Sequence, residues 1–155
     1  MTAAARIAAL DSLPADELCT RAETTLAALV DVMNQETTLL RAGHVLEAGR
    51  LTPEKARLSQ DYVTLSRSVQ RQIERLKAEA PERIERLRNG HERLATQMAE
   101  NLRVLASART VARDLMNDVA RKVGQTSQPR IYGDDGMIGA HEVAPAAGLA
   151  LNRAS

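Results

Sequence analysis

Hydrophobic residues recur every three or four positions over most of residues 14–123, which is the spacing of one face of an α-helix. The longest regular run begins after Pro81 and ends before Gly124. Proline is tolerated at the first position of a helix and glycine commonly ends one, so the pattern predicts a helix at 82–123. At ~1.5 Å per residue this helix would be about 60 Å long. Its apolar positions are Ile84, Leu87, Leu94, Met98, Leu102, Leu105, Leu115, Val119 and Val123.

Two further helices are predicted upstream, at about 14–48 and 53–78. Ser12 is placed to cap the first, and Thr52 with Pro53 is placed to start the second. The turn between them is short, so they should lie antiparallel as a hairpin.

Pro81 interrupts the helical pattern before the long third helix. A tight turn there is favoured, and a kinked continuous helix is the alternative. The predicted fold class is therefore all-α, an antiparallel three-helix coiled-coil bundle at 13–124 with a long third helix. Residues 1–12 are expected to be a flexible N-terminus with at most a frayed helical turn.

The character of the chain changes after Gly124. Residues 124–155 hold five of the eight glycines and two of the five prolines, and they show no helical period. We expect 125–155 to be a largely disordered tail that orders on a partner. An Asp-Gly turn between two short apolar pairs leaves a hairpin as the alternative.

The third predicted helix is longer than the second, so the two cannot cover each other completely. If they start level, the apolar positions after Leu102 have at most the first helix to pack against. Exposed apolar stripes of this kind mark partner sites or contacts between copies.

Composition and charge agree with this architecture. The chain has no Phe or Trp and only two Tyr, which suits long packed helices better than a small globular enzyme. Residues 67–130 carry fourteen basic and eight acidic residues, an excess of six, while both flanks are acidic. Because the positive charges are interleaved with Glu and lack aromatic neighbours, solvated helix faces are favoured over nucleic-acid binding.

Candidate chemistry is sparse. The three histidines are scattered, no catalytic or nucleotide-binding motif occurs, and the single Cys19 excludes an internal disulfide. We expect no catalytic residues, no cofactor and no metal. No apolar run is long enough to span a bilayer, and no signal peptide is evident, so a cytoplasmic protein without membrane insertion is expected.

Three polar residues occupy positions where the apolar stripes predict a hydrophobic side chain: Glu36, His91 and Asn101. A polar residue in a helical seam fixes register or partner orientation at a cost in stability. The alternative is that each residue lies at the solvated edge of its stripe. The edge position is slightly favoured for His91, and the two interpretations are equally open for Asn101.

Several segments resemble one family. The segment 28–43, with Glu36 and a polar gap ending at Gly43, is followed by Leu46 and by Pro53-Glu54-Lys55-Ala56-Arg57-Leu58. Together with Asn101-Leu102 in the third helix and Tyr132-Gly133-Asp134-Asp135-Gly136 in the tail, this is similar to FlgN-type flagellar export chaperones.

The resemblance implies a cytoplasmic chaperone, and we expect it to lack catalysis and to be a monomer or weak dimer. Its partners would be the C-terminal helices of hook-associated (hook–filament junction) proteins and the flagellar type III export gate. A partner helix would lie along the exposed stripe. The alternative is a self-associating coiled-coil scaffold that hides the same stripe. The residues expected to bind partners are Asn101, Leu102, Leu105, Leu115, Met116, Val119 and Val123, with Tyr132 as an anchor in the tail.

Overall fold

A computed structural model describes residues 1–126, 131–132 and 138–139 of the chain, with the side chains of residues 1–125. Helices dominate this part, so the predicted all-α class is confirmed. The helices are α1 (Ala3–Asp11), α2 (Ala15–Arg41), α3 (Val45–Arg50), α4 (Thr52–Arg71), α5 (Ile73–Glu79) and α6 (Pro81–Thr126). Two short strands, β1 (Ile131–Tyr132) and β2 (Ile138–Gly139), pair antiparallel. The chain forms two compact units, Met1–Ala112 and Arg113–Ser155.

The first predicted helix, 14–48, is wrong in its extent because α2 ends at Arg41. Gly43 adopts a left-handed conformation with φ +81°, which a residue with a side chain rarely adopts. The N–H of Gly43 donates to the carbonyl of Leu40 at 3.1 Å, and the N–H of His44 donates to that of Leu39 at 2.9 Å. This pair of bonds is a Schellman motif, and it satisfies carbonyls that the helix end leaves open. A separate short helix, α3, follows.

The second predicted helix, 53–78, is divided in the structure into α4 and α5, which are separated by Gln72. Thr52 begins α4 but gives no side-chain cap. At the other end of this region, α5 stops at Glu79 and α6 starts at Pro81, with Ala80 outside the helical region of backbone space.

Hydrogen bonds between helices give their directions within Met1–Ala112. Arg83, near the start of α6, donates to the carbonyl of Asp16 near the start of α2, at 2.6 Å. Asn101, later in α6, donates to Oε1 of Glu36 near the end of α2, at 2.9 Å. Helices α2 and α6 therefore run the same way.

 Helix α4 runs the opposite way, because Lys55 at its start pairs with Glu36 near the end of α2.

Residues 1–12 were expected to be flexible, but Ala3–Asp11 form the regular helix α1. The hydroxyl of Thr2 accepts a bond from the N–H of Ala5 and so caps its start. Ser12 caps the end of α1 instead of the start of α2, because its N–H donates to the carbonyl of Ala8. The residues that give α1 its order lie far along the chain, on α4 and α5, which is why the local sequence did not predict it.

The core of the bundle consists of two clusters of buried side chains. One lies around Leu18 and Leu76, and the other lies around Leu29, Tyr62 and Leu94. Their remaining buried members are Ala15, Cys19, Ala22, Leu65, Ala80 and Leu87 in the first cluster, and Leu26, Val32, Met33 and Leu58 in the second. All three long helices contribute to each cluster.

Gly90 allows α6 to approach α2 closely. A Cβ atom at this position would lie 2.7 Å from Cδ2 of Leu26, which is shorter than an ordinary contact. Glycine inside a helix is unfavourable by itself, so its presence here reflects the space that Leu26 occupies.

In Arg113–Ser155, the described side chains are those of residues 113–125, and all of them are exposed. Helix α6 continues through Gly124 to Thr126, so Gly124 does not end the helix as predicted. The paired strands correspond to the hairpin that the sequence left as an alternative, in the register Tyr132 opposite Ile138. The predicted disorder of the rest of the tail concerns residues outside the described part of the chain.

Candidate partner-binding surface

A buried polar cluster joins three helices of the bundle. Glu36 of α2 and Asn101 of α6 are 2% and 3% exposed. The ammonium of Lys55, on α4, donates to Oε1 of Glu36 at 2.7 Å and reaches Oδ1 of Asn101 at 3.4 Å. The side-chain amide of Asn101 donates to the same Glu36 oxygen at 2.9 Å and to the hydroxyl of Thr37 at 3.1 Å.

This cluster satisfies its own polar groups. A buried carboxylate without partners would be costly, but here a cation and an amide both contact it. Because α2, α4 and α6 all supply members, sliding any one of these helices by a turn would break contacts within the cluster. The cluster therefore fixes the register of the three helices.

Of the three polar residues that interrupt the apolar stripes, two occupy the interior. For Glu36 and Asn101 the seam interpretation applies, since both are buried and hydrogen-bonded. His91 is exposed, at the edge of its stripe, although its Nδ1 lies 2.8 Å from the hydroxyl of Tyr62 and the two rings stack. Burial raises the pKa of Tyr62.

Asn101 was expected among the partner-binding residues, and the structure removes it from that surface. Its amide is turned into the bundle and is occupied by Glu36 and Thr37. A residue enclosed in this way presents no group to a partner helix. Sequence reasoning missed Thr37 altogether, because a threonine one position from Glu36 gives no periodic signal.

Within Met1–Ala112, the expected apolar positions differ in exposure. Leu102 is exposed, whereas Leu105 is half-buried. Val111, which the sequence analysis did not select, is also exposed. Leu102 and Leu105 form the part of the predicted stripe that belongs to the first unit, and Val111 lies on another side of the helix.

Within Arg113–Ser155, an apolar face runs along α6, and we call it the 115–123 face. At about 100° per residue its members fall within an arc of ~140°, with the polar residues on the remaining side. Its large members are between 51 and 72% exposed. The 115–123 face consists of Leu115, Met116, Val119, Ala120 and Val123.

The polar side of this segment carries charges of both signs. Arg121 forms an ion pair with Asp118. Arg113 and Lys122 add two positive charges and Asp114 a negative one, so the segment has a small positive excess. Tyr132, the expected anchor in the tail, belongs to β1, and its side chain lies outside the described part of the chain.

Other kinds of site find little support among the described residues. No group of three or more His, Cys, Asp or Glu side chains in this part of the chain could hold a metal ion. Cys19 is buried, and burial raises the pKa of its thiol, which disfavours the reactive thiolate.

None of the helices in the described residues is both long and apolar enough to cross a membrane. Comparisons with protein-family models, with curated proteins and with solved structures found no match for this chain.

Proposed function

We propose that this chain is an export chaperone of the FlgN type, which covers the C-terminal helix of a hook-associated protein until that protein is exported through the flagellar type III apparatus. The observation that carries the proposal is the 115–123 face. It combines helical regularity with apolar side chains that the described residues do not bury.

An exposed apolar face on a helix suits one kind of partner especially well. A second amphipathic helix can place its own side chains between Leu115, Val119 and Val123, which are spaced by four residues. Full burial of each such side chain is worth about 1.5–3 kcal/mol, and association itself costs several kcal/mol. The balance favours reversible binding, which a chaperone that must release its substrate requires.

Met116 gives the face adaptability. Its unbranched thioether side chain can fit partner surfaces of different shape. A chaperone that serves more than one export substrate would benefit from this tolerance.

The polar cluster brings together residues on which the proposal rests. Glu36, Lys55 and Asn101 were each part of the pattern that is similar to FlgN-type chaperones. They are separated by 19 to 65 residues in sequence, yet they contact one another in the structure. The three residues that carry the resemblance therefore act together to hold one helical bundle.

Binding to the C-terminal segments of hook-associated proteins tests the proposal. The double variant Leu115→Asp/Val119→Asp places two charges on the 115–123 face and should abolish binding. The control Asn117→Asp/Gln125→Asp adds two charges to the polar side of the same segment and should bind normally. Isothermal titration calorimetry on both variants gives the comparison, and unchanged binding by the first variant would disprove the assigned surface.

A second partner, the export gate, is proposed for the tail. Deleting residues 126–155 should leave helicity and substrate binding intact while export in motile cells falls. Loss of helicity on deletion would instead make the tail part of the folded core.

The alternative is a scaffold that associates with itself through the 115–123 face, and the same exposed side chains would support it. Light scattering at low micromolar concentration separates the two proposals. A stable dimer that Leu115→Asp/Val119→Asp converts to monomer, without binding of any hook-associated segment, would favour the scaffold.

A further inference from the structure

A groove between α1, α2 and α4 has arginines, and no acidic residue, among the described residues that line it. Its volume is about 670 Å³. Apolar side chains of α1 contribute to the same groove, and one of them, Ile7, is 43% exposed. The lining residues that matter here are Arg6, Ile7, Leu10, Arg21, Arg67 and Arg71.

The walls of this groove are fixed by hydrogen bonds. The guanidinium of Arg71 donates to both carboxylate oxygens of Asp11 at 2.8 Å, and the buried Ser68 donates to the same carboxylate at 2.6 Å. Arg75 donates to the carbonyls of Asp11 and Leu13 at 3.2 and 3.0 Å, where α1 ends. A groove with fixed walls loses little conformational entropy when it binds a ligand.

Among the described residues, two of the four arginines have an ion-pair partner and two have none. Arg71 pairs with Asp11, and Arg21 pairs with Glu17 at 2.6 Å. Arg6 on α1 and Arg67 on α4 are exposed, and neither forms an ion pair with any of the described residues. The groove therefore combines an apolar lining with two uncompensated positive charges on different helices.

We propose that this groove binds an acidic peptide segment. Carboxylates of the peptide would accept hydrogen bonds from Arg6 and Arg67, whose planar guanidinium groups match carboxylate geometry. An apolar peptide side chain would pack against Ile7 and Leu10. A concave site favours a peptide over a bilayer, because a flat surface would contact the rim and miss the half-buried Leu10. The proposal does not depend on the export role of the 115–123 face.

Fluorescence anisotropy with the full chain tests this inference. The probe is a labelled twelve-residue peptide of alternating Glu and Leu pairs, and the matched peptide has Lys in place of Glu. We expect the Glu peptide to bind, with an affinity that falls as salt rises, and the Lys peptide not to bind. The variant Arg6→Glu/Arg67→Glu should lower the affinity about tenfold or more, since each charge pair is worth a few-fold and reversal adds repulsion.

Two further variants make the result specific. Arg50→Glu/Arg109→Glu makes the same change in net charge at exposed arginines that do not line the groove, and it should bind like the unmodified chain. Arg6→Gln/Arg67→Gln removes the charges without reversing them and should give an intermediate loss. Circular dichroism of each variant confirms that the helices remain folded.

Three outcomes would overturn the inference. The Lys peptide could bind as well as the Glu peptide, or the control variant could lose as much affinity as Arg6→Glu/Arg67→Glu. Vesicles of anionic phosphatidylglycerol could also displace the Glu peptide from the unmodified chain and fail to bind the variant Arg6→Glu/Arg67→Glu. That result would assign the groove to a membrane surface.

Discussion

Two parts of helix α6 differ in what surrounds their side chains, although both have the same helical period. In Met1–Ala112, Leu94 lies in the core, and Asn101 is enclosed by a hydrogen bond that it donates to Glu36 of α2 and one that it accepts from Lys55 of α4. In Arg113–Ser155, Leu115 and Met116 are exposed, as is every side chain of residues 113–125. The period therefore predicts which residues share a face and does not predict whether the chain itself covers that face.

The contrast has an energetic consequence. Polar groups in the bundle are stable because internal partners replace water. Apolar groups on the 115–123 face contribute little to folding, because they remain in contact with water. Substitutions should therefore affect stability in the first part and binding in the second.

The largest expected difference comes from the same substitution in the two parts. Leu94→Asp places a carboxylate in the core and should cost more than about 4 kcal/mol of unfolding free energy. Leu115→Asp should change it by less than about 0.5 kcal/mol, because the position is exposed. Urea unfolding followed by circular dichroism measures both. Equal destabilisation by the two variants would show that the 115–123 face is covered.

A smaller but still large effect is expected in the polar cluster. Glu36→Ala leaves the ammonium of Lys55 and the amide of Asn101 without their shared acceptor and should cost about 3 kcal/mol. Glu47→Ala is the control, since Glu47 is exposed and, among the described residues, pairs with His44 at 3.8 Å. Urea unfolding again gives the difference, and a cost below about 1 kcal/mol would contradict the role of the cluster in fixing register.

Glycine substitutions sharpen the comparison within α6. A Cβ added at Gly124 would meet no atom of the described residues within 4 Å outside its local helix backbone, so Gly124→Ala should stabilise the helix by up to about 1 kcal/mol. Gly90→Ala gains the same helix propensity but must displace Leu26, so we expect a net loss of about 1 kcal/mol. Thermal unfolding followed by far-UV circular dichroism compares the two. A gain at both positions would mean that Leu26 moves without cost.

The smallest expected effect is a change in pH dependence. Hydrogen bonds from Arg71, and then from Ser68, lower the pKa of Asp11. The ionised carboxylate therefore stabilises the fold above the unfolded pKa of about 3.9, and this contribution is lost as pH falls through the lower folded pKa. Asp11→Asn should reduce the loss of stability as pH falls below about 4. Urea midpoints across this range measure it.

A second variant checks the cause of this pH dependence. Arg71→Ala removes the strongest partner of Asp11 and should flatten the same part of the pH profile. If neither variant changes the profile, the bond between α1 and α4 does not contribute to acid stability.

Local signals predicted the elements that depend on neighbouring residues. Pro81 marks the start of α6, and the polar positions Glu36 and Asn101 were recognised as exceptions in their stripes. The same kind of signal failed at Gly43, which ends α2 early, and at Gly124, which does not end α6. A glycine permits a helix end but does not require one, and the outcome depends on which backbone groups find partners.

The amino-acid sequence by itself determined the helical class, the approximate extent of the long helix and the apolar face at 115–123, because each of these follows from residues within a few turns of one another. Only the tertiary structure decided that Glu36, Lys55 and Asn101 meet, and that Asp11 holds α1 to α4 through Arg71. These contacts join residues that are 19 to 65 positions apart. They depend on how the helices are placed against each other, which a local pattern does not encode.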